Sequence, residues 1–184
     1  MNHPHGKNFK PKANTIRLVA WETTRRCNLA CKHCRATAED HPYDNELDTK
    51  ASFKLLEQIK EVGDPIIILT GGEPLLREDI FDIAAYGTKL GLRMVMAPNG
   101  TLITKDNAKK MKSSGIKRIS ISLDGSTPET HDTFRGIKNA FEKSIQGIEI
   151  VKQFGIEFQI NTTITKTNLD QIPKILELAE NLGA

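Results

Sequence analysis

An α/β domain built on a parallel sheet is predicted by two periodic features of this chain and by where its polar residues fall. Five short extended runs alternate with five amphipathic runs. A glycine follows each predicted helix, where a left-handed backbone favours that residue. Cysteine, glycine, asparagine, serine and aspartate gather at and just beyond the strand ends. Strands are expected over 15–23, 65–70, 92–97, 117–123 and 156–163, and helices over 49–62, 78–90, 104–114, 137–154 and 168–181. Asp48 or Thr49, Thr104 and Asn168 are the expected N-caps, and Gly63, Gly91, Gly115, Gly155 and Gly183 the expected stops. This pattern fits either an open doubly wound sheet or an arc of a (β/α) barrel, and periodicity does not separate them. In both, the loops leaving the strand ends build the site.

The chain has 184 residues with 38% apolar content, enough for one core, and we expect one domain over 15–184 behind a flexible lead-in at 1–14. Lys and Arg total 26 against 23 Asp and Glu, and a net charge of +3 gives no electrostatic reason to expect nucleic acid or a membrane surface as partner. The longest apolar run, 65–69, falls far short of the ~20 residues of a bilayer span, and the first residues lack the apolar core of a secretion signal. A cytoplasmic location is the expectation, and a reducing compartment keeps the three cysteines available as thiolates.

Those cysteines form one cluster, Cys27-x3-Cys31-x2-Cys34, in the loop after the first strand. Soft sulfur ligands favour iron–sulfur clusters or zinc. Three thiolates can hold three corners of an iron–sulfur cube, and with no fourth cysteine in the chain one iron stays open to a cosubstrate. The competing reading is a zinc-binding interaction module completed by His33 or His41; a third is three unligated thiols. Beyond the second and third strands lie Gly71-Gly72-Glu73-Pro74 and Asn99-Gly100, the fourth delivers Ser122-Leu123-Asp124-Gly125 at its end, and the fifth delivers Asn161 and Thr163 near its end.

The cysteine spacing after a first strand resembles the signature of the radical S-adenosylmethionine (SAM) superfamily, with His33 where an aromatic carbocyclic residue is usual. The resemblance implies a partial (β/α)6 barrel of the TIM type, here with about five βα units, a [4Fe-4S] cluster on Cys27, Cys31 and Cys34, and SAM as cosubstrate. It also implies that Gly71, Gly72, Glu73 and Pro74 bind the methionyl amino group. Two glycines let backbone carbonyls approach an ammonium, Glu73 adds a charged acceptor and Pro74 fixes the turn. By the same resemblance Ser122 reaches the ribose or carboxylate of SAM, and Asp124 holds its loop or faces the substrate. Arg135 pairs with the SAM carboxylate through its planar fork. Asn99, Asn161 and Thr163 contact ribose or adenine. Arg25 and Arg26 balance the cluster's charge, meet acidic substrate groups or are simply solvated.

The implied chemistry is one-electron cleavage of SAM to methionine and a 5'-deoxyadenosyl radical, with an external donor such as flavodoxin or ferredoxin and no side chain acting as general acid. Trp21-Glu-Thr-Thr-Arg-Arg-Cys27 together with Cys34-Arg-Ala resembles the haem-forming branch, whose substrate is an iron-porphyrin propionate. Related branches act on haem d1 precursors or on peptides, the latter as modifying maturases with auxiliary clusters. The chain ends where a sixth strand would start, so it is expected to lack the last strand and any C-terminal domain. A folded fragment that does not bind SAM is therefore a further reading.

Overall fold

The computed structural model describes residues 16–184; the expected lead-in and the first residue of the first expected strand lie outside the described residues. Among the described residues five strands form one sheet: β1 (Leu18–Glu22), β2 (Ile66–Thr70), β3 (Arg93–Met96), β4 (Arg118–Ser122) and β5 (Glu157–Asn161). All neighbours are parallel and the spatial order is the sequence order. A doubly wound sheet reverses direction at a switch point. This one never does, so the open choice resolves to an arc of a (β/α) barrel.

Among the described residues six helices accompany the strands: α1 (Thr49–Val62), α2 (Ile80–Lys89), α3 (Lys105–Ser113), α4 (Pro128–Arg135), α5 (Ala140–Gln153) and α6 (Ile172–Leu182). Side chains alternate across each strand. Ile67, Leu69, Met94, Met96, Ile119 and Ile121 are sealed against Leu56, Ile83, Met111 and Ile148 of the helices. The opposite face, with Leu18, Ile66, Ser120 and Ser122, is half-buried or exposed. No helix among the described residues is long and apolar enough to cross a membrane.

Asp48 and Thr104 cap α1 and α3 as expected, accepting from the amides of Ala51 and Asn107. Gly91, Gly115, Gly155 and Gly183 take left-handed φ of 80°, 84°, 63° and 81°, whereas Gly63 is extended, φ 158° and ψ −167°.

Two expectations need correction. The helix expected over 137–154 starts only at Ala140, and a separate helix, α4, precedes it. Thr127 accepts from Thr130 N, Pro128 supplies a pre-set first turn, and Gly136 closes α4 in the left-handed region at φ 74°. Asp132 then accepts the amides of Asn139 and Phe141, at 2.6 and 2.9 Å, which fixes the start of α5. Asn168 does not cap a helix directly. A short 3-10 turn, Leu169–Gln171, intervenes, and α6 begins at Ile172 because Pro173 has no amide to bond back to residue 169. The Asn168 side chain is instead buried, donating to the carbonyls of Asp124 and Thr163 and accepting from Thr165 N.

Candidate active site

The loop after β1 runs without regular structure to α1, and two neighbours hold it. The first is the turn after β2. Thr23 N donates to Thr70 O (2.8 Å), Gly72 N to Thr24 O (2.7 Å) and Glu73 N to Arg26 O (2.8 Å), so the strand ladder continues into the two loops. A Cβ on Gly71 would lie 2.2 Å from Thr24 O, and one on Gly72 would lie 2.4 Å from Arg26 O. Both atoms are backbone. The double glycine is therefore required by close approach of the cysteine loop itself.

The second neighbour is the carboxyl end of α4. Helix ends leave carbonyls without intrahelical partners. Here Phe134 O and Arg135 O accept the amides of Lys32 and Ala30, each at 3.1 Å, and a Cβ on Gly136 would lie 2.2 Å from Ala30 O. The His33 ring packs on Phe134 with centroids 4.5 Å apart. Arg25 and Arg26 fasten the loop to itself: Arg25 covers the Tyr43 ring and donates to Ala36 O, and Arg26 pairs with Asp40 at 2.6 Å.

Cys27, Cys31 and Cys34 line one cavity together with His33, Gly71, Gly72, Asn99 and Arg135. Its volume, about 260 Å³, approaches the lower end of small-molecule pockets, roughly 300–1,000 Å³. Burial pushes the Cys27 thiol up to about 11, opposed by the Leu29 amide, and raises Cys31, opposed by Arg135. Among the described residues no three His, Cys, Asp or Glu side chains converge as they would on a single metal ion. His41 lies against Tyr43 with Nδ1 at the Pro42 carbonyl, outside the cavity wall.

Arg135 is buried between the cavity and the core. Its Nη1 lies 3.6 Å from Cys31 Sγ and its Nη2 pairs with Asp124, while its Nε has no hydrogen-bond partner among the described residues. Asp124 is fully buried. It accepts the Thr163 amide at 2.7 Å, and its own amide donates to His131 Nδ1 at 3.2 Å. Burial, then the Arg135 charge, lowers His131 to about 4, so its ring stays neutral at pH 7. Asp124 thus ties the ends of β4 and β5 to Arg135.

Glu73 also points inward. Its carboxylate is fully buried, with Oε1 accepting from Leu75 N (3.1 Å) and Oε2 from Asn99 N (2.6 Å). Asn99 passes the link on: its Nδ2 donates to Asn28 Oδ1, and Asn28 Nδ2 donates to Thr101 Oγ1, each at 2.9 Å. Asn28, between the first two cysteines, and His131 are network members that sequence patterns did not single out; only Asn28's place inside the cysteine motif marked it. Pro74 is buried and starts a short 3-10 turn, Pro74–Leu76. Ser122 and Asn161 pair in register on the open face, and with Thr163 they stand beyond the cysteine cavity wall.

Burial raises the Glu73 carboxyl from 4.5 to about 7 against the pull of the two amides. The folded state then holds a proton that the unfolded chain has released, so stability is full below about pH 4.5, falls as pH rises towards 7, and levels off above. The loss is on the order of 3 kcal/mol. Thermal melts of iron-free protein should show this slope in wild type and lack it in Glu73→Gln; parallel slopes in the two proteins would refute it.

Comparison with known proteins agrees with this geometry. The model of the radical SAM superfamily matches residues 21–179. The chain is 48% identical to an AdoMet-dependent heme synthase of Oleidesulfovibrio alaskensis, covering 100% of this chain and 52% of that protein. It is 50% identical to an AdoMet-dependent heme synthase of Nitratidesulfovibrio vulgaris, covering 99% and 50%. The chain therefore spans about half the length of these curated relatives. The crystal structure of Streptococcus suis SuiB bound to S-adenosylmethionine superposes with a TM-score of 0.76 at 21% identity, over 92% of this chain and 39% of that one, which shows a shared fold. With a family model matched from the end of the first strand to the last helix, and three cysteines in one cavity beside the Gly71–Gly72 turn, the chain belongs to the radical SAM superfamily.

Proposed function

We propose that this chain is the SAM-cleaving portion of a haem-forming enzyme. In this reading Cys27, Cys31 and Cys34 would hold a [4Fe-4S] cluster, and SAM would bind in the same cavity. The donor set fits the group: three thiols share a cavity with a buried guanidinium whose Nε lacks a partner. That juxtaposition carries the proposal, because soft ligands suit iron and an unpaired guanidinium donor suits a carboxylate.

When bound, cluster and SAM supply reductive cleavage to methionine and a 5'-deoxyadenosyl radical for hydrogen abstraction. The chain's own residues bind and orient. Arg135 takes the methionyl carboxylate through Nε, the donor it has free, while Asp124 holds Nη2. The carbonyls of Gly71 and Gly72 take the amino group, and Glu73 acts beneath them as a fastener between the turn and Asn99. Ser122 is assigned to the ribose or carboxylate of SAM, and Asn99, Asn161 and Thr163 to its ribose or adenine. His33 covers the cavity's edge against Phe134 and helps exclude water.

The proposed substrate is an iron tetrapyrrole whose propionate loses carbon dioxide, with a flavodoxin or ferredoxin as electron donor. Identity of 48–50% to proteins named as heme synthases supports this choice over a peptide. Anaerobic reconstitution with iron and sulfide, followed by dithionite and SAM, should give a brown protein that forms 5'-deoxyadenosine without added substrate. A colourless protein carrying one zinc per chain would reject the cluster reading, and a brown protein that makes no deoxyadenosine would reject SAM cleavage by this chain.

A further inference from the structure

The loop that carries the cysteines has two ends, and one side chain holds both. Arg77 stands just beyond the Gly71–Pro74 turn, with its side chain 8% exposed. Its Nη1 donates to Thr23 O at 2.6 Å, where the loop leaves β1, and its Nη2 donates to Leu47 O at 2.7 Å, just before α1. Nη2 also reaches Ser52 Oγ in α1 at 3.0 Å, and Nε binds Asp79 Oδ1 at 2.6 Å. Asp79 in turn accepts from Thr49 Oγ1, the first residue of α1, at 2.6 Å. A buried charge is tolerated only when its donors are matched, and every nitrogen of this guanidinium has a partner.

Between Thr23 and Leu47 the chain has no helix or strand of its own, so bonds from its neighbours set its shape, and Arg77 supplies those at both of its ends. We infer that Arg77 is a positioning residue: its guanidinium closes the base of the cysteine loop and keeps Cys27, Cys31 and Cys34 in register with Gly71 and Gly72. The inference rests on the proposal that this loop holds the cluster. A lysine keeps the charge but has no planar fork, so it cannot serve Thr23 O, Leu47 O and Asp79 together.

Hydrogen exchange on iron-free Arg77→Lys and Ser52→Ala proteins tests the clamp without any cofactor. In Arg77→Lys, amides over 24–46 should exchange at least about tenfold faster, as expected on losing charge-assisted bonds, while Ile66–Thr70 and Arg118–Ser122 keep wild-type protection. Ser52→Ala, which removes one acceptor of several, should show a smaller change in the same segment and serves if the lysine variant does not fold. After reconstitution, Arg77→Lys should lose the shift that SAM induces in the electron paramagnetic resonance spectrum of the reduced cluster. Wild-type protection over 24–46, uniform acceleration through the sheet, or a loosened loop with the SAM-induced shift intact would each overturn the assignment. A wild-type protein that takes up no cluster would remove the proposed function and leave the exchange result standing.

Discussion

Cys31→Ala is expected to take SAM cleavage below detection while leaving the sheet intact. The chain holds three cysteines and no spare, so no thiol elsewhere can substitute for the one removed. Cys31 also lies 3.6 Å from Arg135 Nη1, and so joins the thiol side of the cavity to the proposed carboxylate-binding side. Its side chain is only partly buried, so removing one sulfur should lower the melting temperature by a few degrees at most, about 1 kcal/mol. His33→Phe provides the contrast. The His33 ring stacks on Phe134, a contact that a phenyl ring reproduces, so this variant should keep its iron and its deoxyadenosine yield. Anaerobic assays by liquid chromatography decide the matter: product from Cys31→Ala at wild-type yield would end the cluster assignment.

The repeating features of the fold were legible in the sequence because they are local. Apolar periodicity located all five strands, and the caps at Asp48 and Thr104 placed two helix starts. α4 escaped because eight residues give too little periodicity to register, although Thr127-Pro128 before it and Gly136 after it form a capping signature. The cysteine spacing and the Gly71–Pro74 turn were equally plain.

What the sequence left hidden depends on which loops meet. Two glycines in a turn suggest room for a ligand, but only the folded chain brings Thr24 and Arg26 within reach of them. Glu73 reads as an acceptor for a bound ammonium, and only the fold adds the amides of Leu75 and Asn99 on its oxygens. Arg77 carries no motif in a reading of strand ends, because its partners Thr23, Leu47 and Ser52 are 25 to 54 positions away. In each case the missing information was a contact between distant segments.

The close approach at Gly72 yields the second large effect. Gly72→Ala would place a methyl 2.4 Å from Arg26 O and 2.5 Å from Arg25 O, and no flexible side chain is there to move aside. Relief requires the two loops to part, breaking the bonds from Gly72 N to Thr24 O and from Glu73 N to Arg26 O. Overpacking and two lost hydrogen bonds together cost about 2–4 kcal/mol, which for a chain of this size lowers the melting temperature by roughly 5–15 °C. The damage falls on the segment that carries the cysteines, so iron uptake on reconstitution should drop several-fold along with stability. Gly155→Ala separates the two effects. A Cβ there meets nothing within 4 Å, and only the left-handed backbone at φ 63° opposes it, a strain of about 1–2 kcal/mol. That variant should melt a few degrees low yet bind iron as wild type does. If Gly72→Ala loads iron as fully as Gly155→Ala, the two loops are not zipped together in the way their backbone bonds describe.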